Sequence, residues 1–266
     1  MKRVTAVWRG ARWGLVVLLI GASLWLFARA ARDLPGSHRL PFDSWYGNWR
    51  AVLIVTGLFT IFLLGFSRPR RRAEWQTAGV YTAFLISLFT EMFGIPLTIY
   101  LLAPFLGLSP WTFGVNESHL WPFALDRLGL LPLHLGVYLV MVVSIGIIAV
   151  GASLVAIGWA TVYRGRGELV TAGIYRYLRH PQYMGLILIV LAFNIQWPTL
   201  PTLLMAPVLI VMYSRLARWE DDDLATFFGE KFLDYAARTP RFIPLGGRRP
   251  TRKIRGTPAE LSSDNV

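Results

Sequence analysis

Roughly six apolar runs, each to be measured against the roughly 20 residues that cross a bilayer's hydrocarbon core, restrict what this chain can fold into. They are Trp13–Ala30, Trp49–Phe66, Gly79–Leu106, Leu133–Val162, Tyr183–Trp197 and Leu200–Tyr213. With 55% hydrophobic and 16% charged residues, the chain of 266 residues cannot be an ordinary soluble domain. In lipid a spanning segment must satisfy its backbone hydrogen bonds internally, so the expected fold is all-α: a polytopic membrane protein of about six helices with a C-terminal cytoplasmic cap. There is no cysteine, which excludes disulfides, thiolate metal sites and cysteine nucleophiles. The net charge of +12 sits beside the apolar runs. That is where orientation signals and lipid headgroup contacts place basic residues, so the charge argues for a bilayer partner and against nucleic acid.

The run Trp13–Ala30 has basic flanks in Lys2, Arg3, Arg9 and Arg12 but no clear cleavage signature, and it reads as a retained span. Pro96 and Pro104 each remove a helix hydrogen bond, so the third run is expected to kink or end early. The last two runs are short, and Trp197-Pro-Thr-Leu-Pro201 between them makes a helical hairpin whose second arm is expected to continue past the membrane surface. Arginine is dense at the N-terminus, in Arg68-Pro-Arg-Arg-Arg72, from Arg164 to Arg179 and after Arg215. With six spans this puts both termini in the cytoplasm, in a bacterial case at the inner membrane; one loop, Ala31–Asn48 with Arg29, Arg32, Arg39 and Arg50 in or beside it, disagrees with that orientation. Three parts are expected: N-terminal membrane helices over 1–132 with a long outer loop, a core over 133–245, and a basic, disordered tail over 246–266.

Polar chemistry gathers in two patches. The first is Gly173-Ile-Tyr-Arg-Tyr-Leu-Arg-His-Pro-Gln-Tyr183, and the second is Arg218-Trp-Glu-Asp-Asp-Asp-Leu224. The short hairpin returns both to the same membrane face. Beyond the second patch, Leu224, Phe227, Phe228, Phe232 and Tyr235 recur at helical spacing, predicting one amphipathic helix that Gly229 interrupts without breaking. Pro240-Arg-Phe-Ile-Pro244 ends it and is placed to fold back over what lies below. Glu91 lies within an apolar run, where an acid is costly and is either paired or functional. Trp159, Phe193 and Trp197 read as packing or interface residues. Glu117, His119 and His134 lack the tight spacing of metal ligands, so no metal is expected, and His38 reads as a loop residue.

The ordered set Gly167-Glu-Leu-Val-Thr-Ala-Gly-Ile-Tyr-Arg-Tyr-Leu-Arg-His-Pro-Gln-Tyr183, a hairpin, Glu220-Asp-x-x-Leu224, Phe228-Gly229 and Pro240-Arg-Phe-Ile-Pro244 resembles the isoprenylcysteine carboxyl methyltransferase family. Its superfamily comprises membrane-embedded, S-adenosylmethionine-dependent enzymes that also methylate phospholipid amines and small thiols. The resemblance covers about Gly158 to Pro244; further upstream, Glu91-Met-Phe-Gly-Ile-Pro-Leu-Thr-Ile-Tyr100 looks similar to segments of bacterial members. It implies S-adenosyl-L-methionine as cofactor, framed by Gly167, Glu168, Leu169 and Val170, by Tyr175, Arg179 and His180-Pro181-Gln182-Tyr183, and by Glu220 as the acid for the cofactor's amino-acid portion. The second acid is Asp221 where glutamate is commoner. The family arginine that grips a substrate carboxylate falls on Leu216, and Arg215 and Arg218, within a turn, are the candidate substitutes.

The cofactor's sulfonium, ammonium, carboxylate and adenine require an anion, a cation or backbone donors, and aromatic walls; Glu220, Arg179 and Tyr175 or Tyr183 offer them. Because the cofactor carries the reactive group, the protein's task is to bind, orient and exclude water. Should the acceptor arrive protonated, His180 and Glu91 are the candidate bases. The expected acceptor is a small or lipophilic thiol, lipid amine or carboxylate. The competing class is a non-enzymatic transporter or structural subunit in which Glu91 and the loop arginines line a path.

Overall fold

The computed structural model describes residues 46–67, 71–109, 116–165 and 167–242. The run Trp13–Ala30, the N-terminal arginines, His38, most of the discordant loop and the basic tail lie outside these residues. All regular structure among the described residues is helical. It comprises α1 (Trp49–Ser67), α2 (Arg72–Phe89) with a π-helical turn over Thr90–Gly94, α3 (Leu97–Leu106), a 3-10 turn at Asn116–Ser118, α4 (Leu120–Arg127), α5 (Leu133–Arg164), a 3-10 turn at Gly173–Arg176, α6 (Pro181–Gln196), α7 (Leu200–Phe228) and α8 (Glu230–Arg238). Among the described residues, three segments are long and apolar enough to cross a membrane: Arg72–Gly94, Leu133–Arg164 and Leu200–Phe228. The chain is an integral membrane protein; α1, α3 and α6 are shorter apolar helices beside those spans.

The expected break in the third run falls at one point. α2 and its π turn end at Gly94, Ile95 is extended at φ −120° and ψ 116°, and Pro96 precedes α3. A proline forces the residue before it out of the helical region, so Ile95 and Pro96 together stop the helix. Pro104 is different: it sits inside α3 without ending it. Within the stretch expected as a long outer loop, Asn116–Ser118 and Leu120–Arg127 are helical. The Trp121 indole donates to the Asn194 carbonyl at 2.9 Å, and the His119 ring meets Trp197 edge-on at 4.6 Å, which pins α4 and the turn before it to the end of α6.

α5 and α6 pack over the most extensive helix interface. Glycines permit it: a Cβ on Gly185 would lie 2.4 Å from the Gly151 carbonyl oxygen and 2.8 Å from Val155, and one on Gly158 would lie 3.1 Å from Pro181 and Gln182. Without hydrophobic driving force in lipid, such close backbone approach supplies the van der Waals contact that holds membrane helices together. At the far end of α6 the chain reverses through Pro198, and the Thr199 hydroxyl accepts from the Thr202 amide at 3.2 Å, capping α7.

α7 is a single helix of 29 residues, longer than the apolar run that begins it, and carries the acidic patch on its last turns. The single amphipathic helix expected across Gly229 does not form. Gly229 adopts φ 58° and ψ −134°, a conformation that L side chains rarely adopt, so α7 stops at Phe228 and α8 starts in a new direction. The apolar stripe is divided as well: Phe232 is buried, whereas Phe227 is exposed.

Gly185→Ala should lower the melting temperature of the detergent-solubilised protein by an amount corresponding to about 1–3 kcal/mol, because the methyl meets backbone and not a mobile side chain. Gly146→Ala, which adds its methyl where nothing lies within 4 Å, should be neutral or stabilising in the same melt.

Candidate functional site

Three segments distant in sequence converge where α6 begins: the loop ending in His180, the last turns of α7, and the strap that follows α8. The strap is tied by main chain, since the Arg179 and His180 amides donate to the Pro240 and Arg241 carbonyls at 3.0 and 3.2 Å. Tyr235 of α8 donates to the Tyr175 carbonyl at 2.6 Å, and the Arg179 guanidinium donates to the Ala236 carbonyl at 2.9 Å. The Phe242 ring lies 6.3 Å from the His180 ring. α8 and Pro240–Phe242 thus form a cover over the His-Pro-x-Tyr segment.

Beneath it Asp221 is the hub. One carboxylate oxygen, Oδ2, receives Arg179 at 3.0 Å and Arg241 at 2.7 and 2.8 Å, while Oδ1 faces His180 Nε2 at 2.8 Å. The other ring nitrogen, Nδ1, faces a Glu220 oxygen at 3.2 Å. The Asp221 side chain is 8% exposed and that of Glu220 46%, so adjacent acids have different environments. Burial opposes charge on His180, but hydrogen bonds to Asp221 and then Glu220 outweigh it and raise its pKa above the ordinary imidazole value. With an acid facing each nitrogen, the ring can donate to both when protonated. A proton acceptor needs a free lone pair, so this placement argues against His180 as a general base.

Tyr175 is buried, its hydroxyl donates to the Gly158 carbonyl at 3.2 Å, and its side chain also bonds Gln182. Burial pushes its pKa up, so it stays neutral. The Tyr183 side chain hydrogen-bonds Glu220. Its ring stacks on His180 at 5.7 Å and continues inward through Tyr213 at 5.8 Å to Tyr81, 6.3 Å further.

Of the residues singled out from sequence, the fold therefore gathers Tyr175, Arg179, His180, Pro181, Gln182, Tyr183 and Glu220. Gly167 and Glu168 are exposed in the loop after α5, with Leu169 and Val170 half-buried, and none of the four joins this hydrogen-bonded knot. Arg215 and Arg218 are not brought to it either. Leu216 is buried on the inner face of α7 with Tyr213, whereas both arginines are exposed, and Arg218 donates back to Ser214 on its own helix at 3.4 Å. Glu91 is at the other end of the bundle: it accepts from the Thr98 amide at 2.9 Å, and Thr98 accepts from the Leu200 amide at 2.8 Å. From Leu200 to Asp221 the helical rise is about 30 Å. Glu91 therefore does not share a reaction centre with His180. Asp221, Arg241 and Tyr235 were missed as site residues; the Glu-Asp pair and the Pro-Arg-Phe motif named two of them as text without a role. Among the described residues no group of three metal-ligating side chains converges.

The comparisons with known proteins concern this same region. Residues 131–231 match the family model described as phospholipid methyltransferase. The resemblance to isoprenylcysteine methyltransferases holds over this segment. The Schizosaccharomyces pombe protein-S-isoprenylcysteine O-methyltransferase is 37% identical over 78 residues, 29% of this chain and 33% of that protein. The Mus musculus enzyme of the same name is 31% identical over 102 residues, 35% of this chain and 30% of the relative. The cobalt-zinc-cadmium resistance protein CzcN of Cupriavidus metallidurans is 34% identical over 108 residues, 39% of this chain. The matched segments span half or less of these relatives' own length. No solved structure matches the chain.

Asp221→Ala should destabilise the protein by about 3 kcal/mol, since it strands two guanidiniums and an imidazolium under the cover; Asp223→Ala, whose exposed carboxylate pairs only with exposed Arg71, should cost under about 1 kcal/mol. Thermal melts of both variants decide this. A folded-state histidine pKa raised above its unfolded value of about 6.5 gives stability that is complete below that value and is lost as pH rises through the folded pKa. His180→Gln should therefore flatten the alkaline decline of melting temperature that the wild type shows above about pH 6.5.

Proposed function

We propose that this chain is an integral membrane S-adenosylmethionine-dependent methyltransferase acting on a small or lipophilic acceptor. The observation that carries the reading is the Glu220–His180–Asp221 relay beneath the α8 cover, built from the segment that matches the methyltransferase family. The residues present fit the cofactor's chemistry. Glu220 keeps an exposed carboxylate for an ammonium, and Arg179 holds a buried Nε without a hydrogen-bond partner, a spare donor for a carboxylate. Tyr175 and Tyr183 supply aromatic walls. The bound cofactor would contribute an electrophilic methyl on a sulfonium.

The protein's own work is to orient and exclude water. His180 holds Glu220 in place through Nδ1, so the exposed acid has one direction, while the Asp221 knot fixes the cover that shields the site. Methyl transfer to an anionic acceptor removes charge in the transition state, which a water-poor pocket favours. On the acceptor side, Leu216 is buried where a carboxylate-gripping arginine would sit, and Arg215 and Arg218 face away. That supports a thiol or a lipid amine over a carboxylate.

In the arrangement this implies, six spans place both termini and the site in the cytoplasm, at the cell inner membrane in a bacterium. Residues 1–132 form the N-terminal membrane part and residues 133–245 the methyltransferase core.

The test is calorimetric titration of S-adenosylhomocysteine into the detergent-solubilised chain. Binding is expected in the wild type, a loss of at least about 100-fold in Glu220→Ala, which deletes a charge-assisted contact, and a change within about threefold in Asp223→Ala. Absence of any signal at millimolar ligand, with the protein folded, would sink the enzymatic reading in favour of a transporter or structural subunit. A labelled-methyl screen across thiols, lipid amines and carboxylates then assigns the acceptor, with carboxylates expected to be inert.

A further inference from the structure

The end of the bundle opposite the His180 knot holds a second polar centre that methyl transfer does not use. Glu91 sits in the π-helical turn Thr90–Gly94, a distortion that often accompanies function, and is 3% exposed. Its Oε2 accepts from the Thr98 amide at 2.9 Å, but Oε1 is buried with no hydrogen-bond partner. The Thr98 hydroxyl oxygen accepts from the Leu200 amide at 2.8 Å while its O–H remains to donate, and that side chain is hydrogen-bonded to the Glu91 carboxylate. Glu91 lines a small cavity with Thr98, Ser118, Trp197 and Thr199, and the space is about that of one water molecule. A buried carboxylate oxygen without a hydrogen-bond partner is costly, so the cavity calls for an occupant.

We propose that this cavity binds a single sodium ion. Its polar lining side chains are one carboxylate and three hydroxyls with no sulfur, the oxygen chemistry that hard cations prefer. Charge selects among them. Among the described residues, Glu91 is the one ionisable side chain lining the cavity, and no lysine or arginine lines it. One carboxylate and one monovalent cation are neutral together, whereas a divalent ion would leave a net charge in a low-dielectric interior. Size excludes the larger organic cations. The ion would tie the π turn after α2 and the first turn of α3 to the start of α7, since Glu91, Thr98 and Thr199 come from those three places. The site lies about 30 Å of helical rise from Asp221, so it is independent of the methyl-transfer reading.

Melting of the full chain in detergent at pH 8, in sodium chloride or in choline chloride at equal ionic strength, tests this. Sodium at about ten times its dissociation constant should raise the wild-type melting temperature by about 3 °C, potassium by less, and Glu91→Gln should abolish the difference. Radioactive sodium should be retained by the wild type saturably and displaced by unlabelled sodium but not by choline, a measurement that stands even if Glu91→Gln does not fold. Equal melting in sodium and choline together with no saturable retention would overturn the proposal, leaving a protonated Glu91 beside a water molecule. Retention that is unchanged in folded Glu91→Gln would overturn it as well.

Discussion

A single buried carboxylate organises the polar end of this protein. Asp221, on the helical hairpin, takes two guanidiniums and an imidazole from segments before and after it, so one side chain joins the His-Pro-x-Tyr loop, the end of α7 and the strap beyond α8. Removing one charged group from water is costly; gathering complementary charges around it, each with further hydrogen bonds, returns that cost as geometric definition. Arg179 illustrates the economy of the arrangement: it serves Asp221, the Ala236 carbonyl and the Phe232 ring, which its guanidinium overlies at 5.9 Å. The cover is therefore fixed by the same knot that orients Glu220.

The apolar body below supports that knot by close packing. Gly151, Gly158 and Gly185 let α5 and α6 touch along their backbones, which holds Pro181 and Gln182 against α5 at the height where His180 leaves the helix. Gln182 and Gly158 in turn both bond Tyr175, so the position of that ring is set by the helix interface and not by the loop alone. At the opposite end, Trp121 and the His119–Trp197 pair close the bundle around Glu91. Two polar centres at opposite ends of one apolar bundle are what a membrane permits, because the middle cannot hold unpaired charge.

Much of this was legible before any coordinates. The apolar runs named the solvent, the Trp-Pro-Thr break named the hairpin, and the order of the polar motifs named the segments that would meet. Two local readings failed for identifiable reasons. Helical spacing of Leu224, Phe228 and Phe232 suggested continuity across Gly229, but periodicity is blind to a positive φ, and the helix turns there. Proximity within one turn made Arg215 and Arg218 seem interchangeable with position 216, yet each residue of a helix rotates by about 100°, which carries both arginines to the outer face.

By itself the sequence determined that the chain lives in a membrane, that several of its apolar segments are flanked by basic residues, and that an acid pair and an imidazole motif lie one short hairpin apart, because hydropathy, charge bias and segment length are properties of residues in order. Tertiary structure alone decided which acid is buried. Glu220 and Asp221 are neighbours of almost equal chemistry, and the same 100° step turns Asp221 under the cover while leaving Glu220 exposed. It also decided that Glu91 stands apart, since the rise along α7 accumulates with every residue and places the length of the bundle between that acid and the knot.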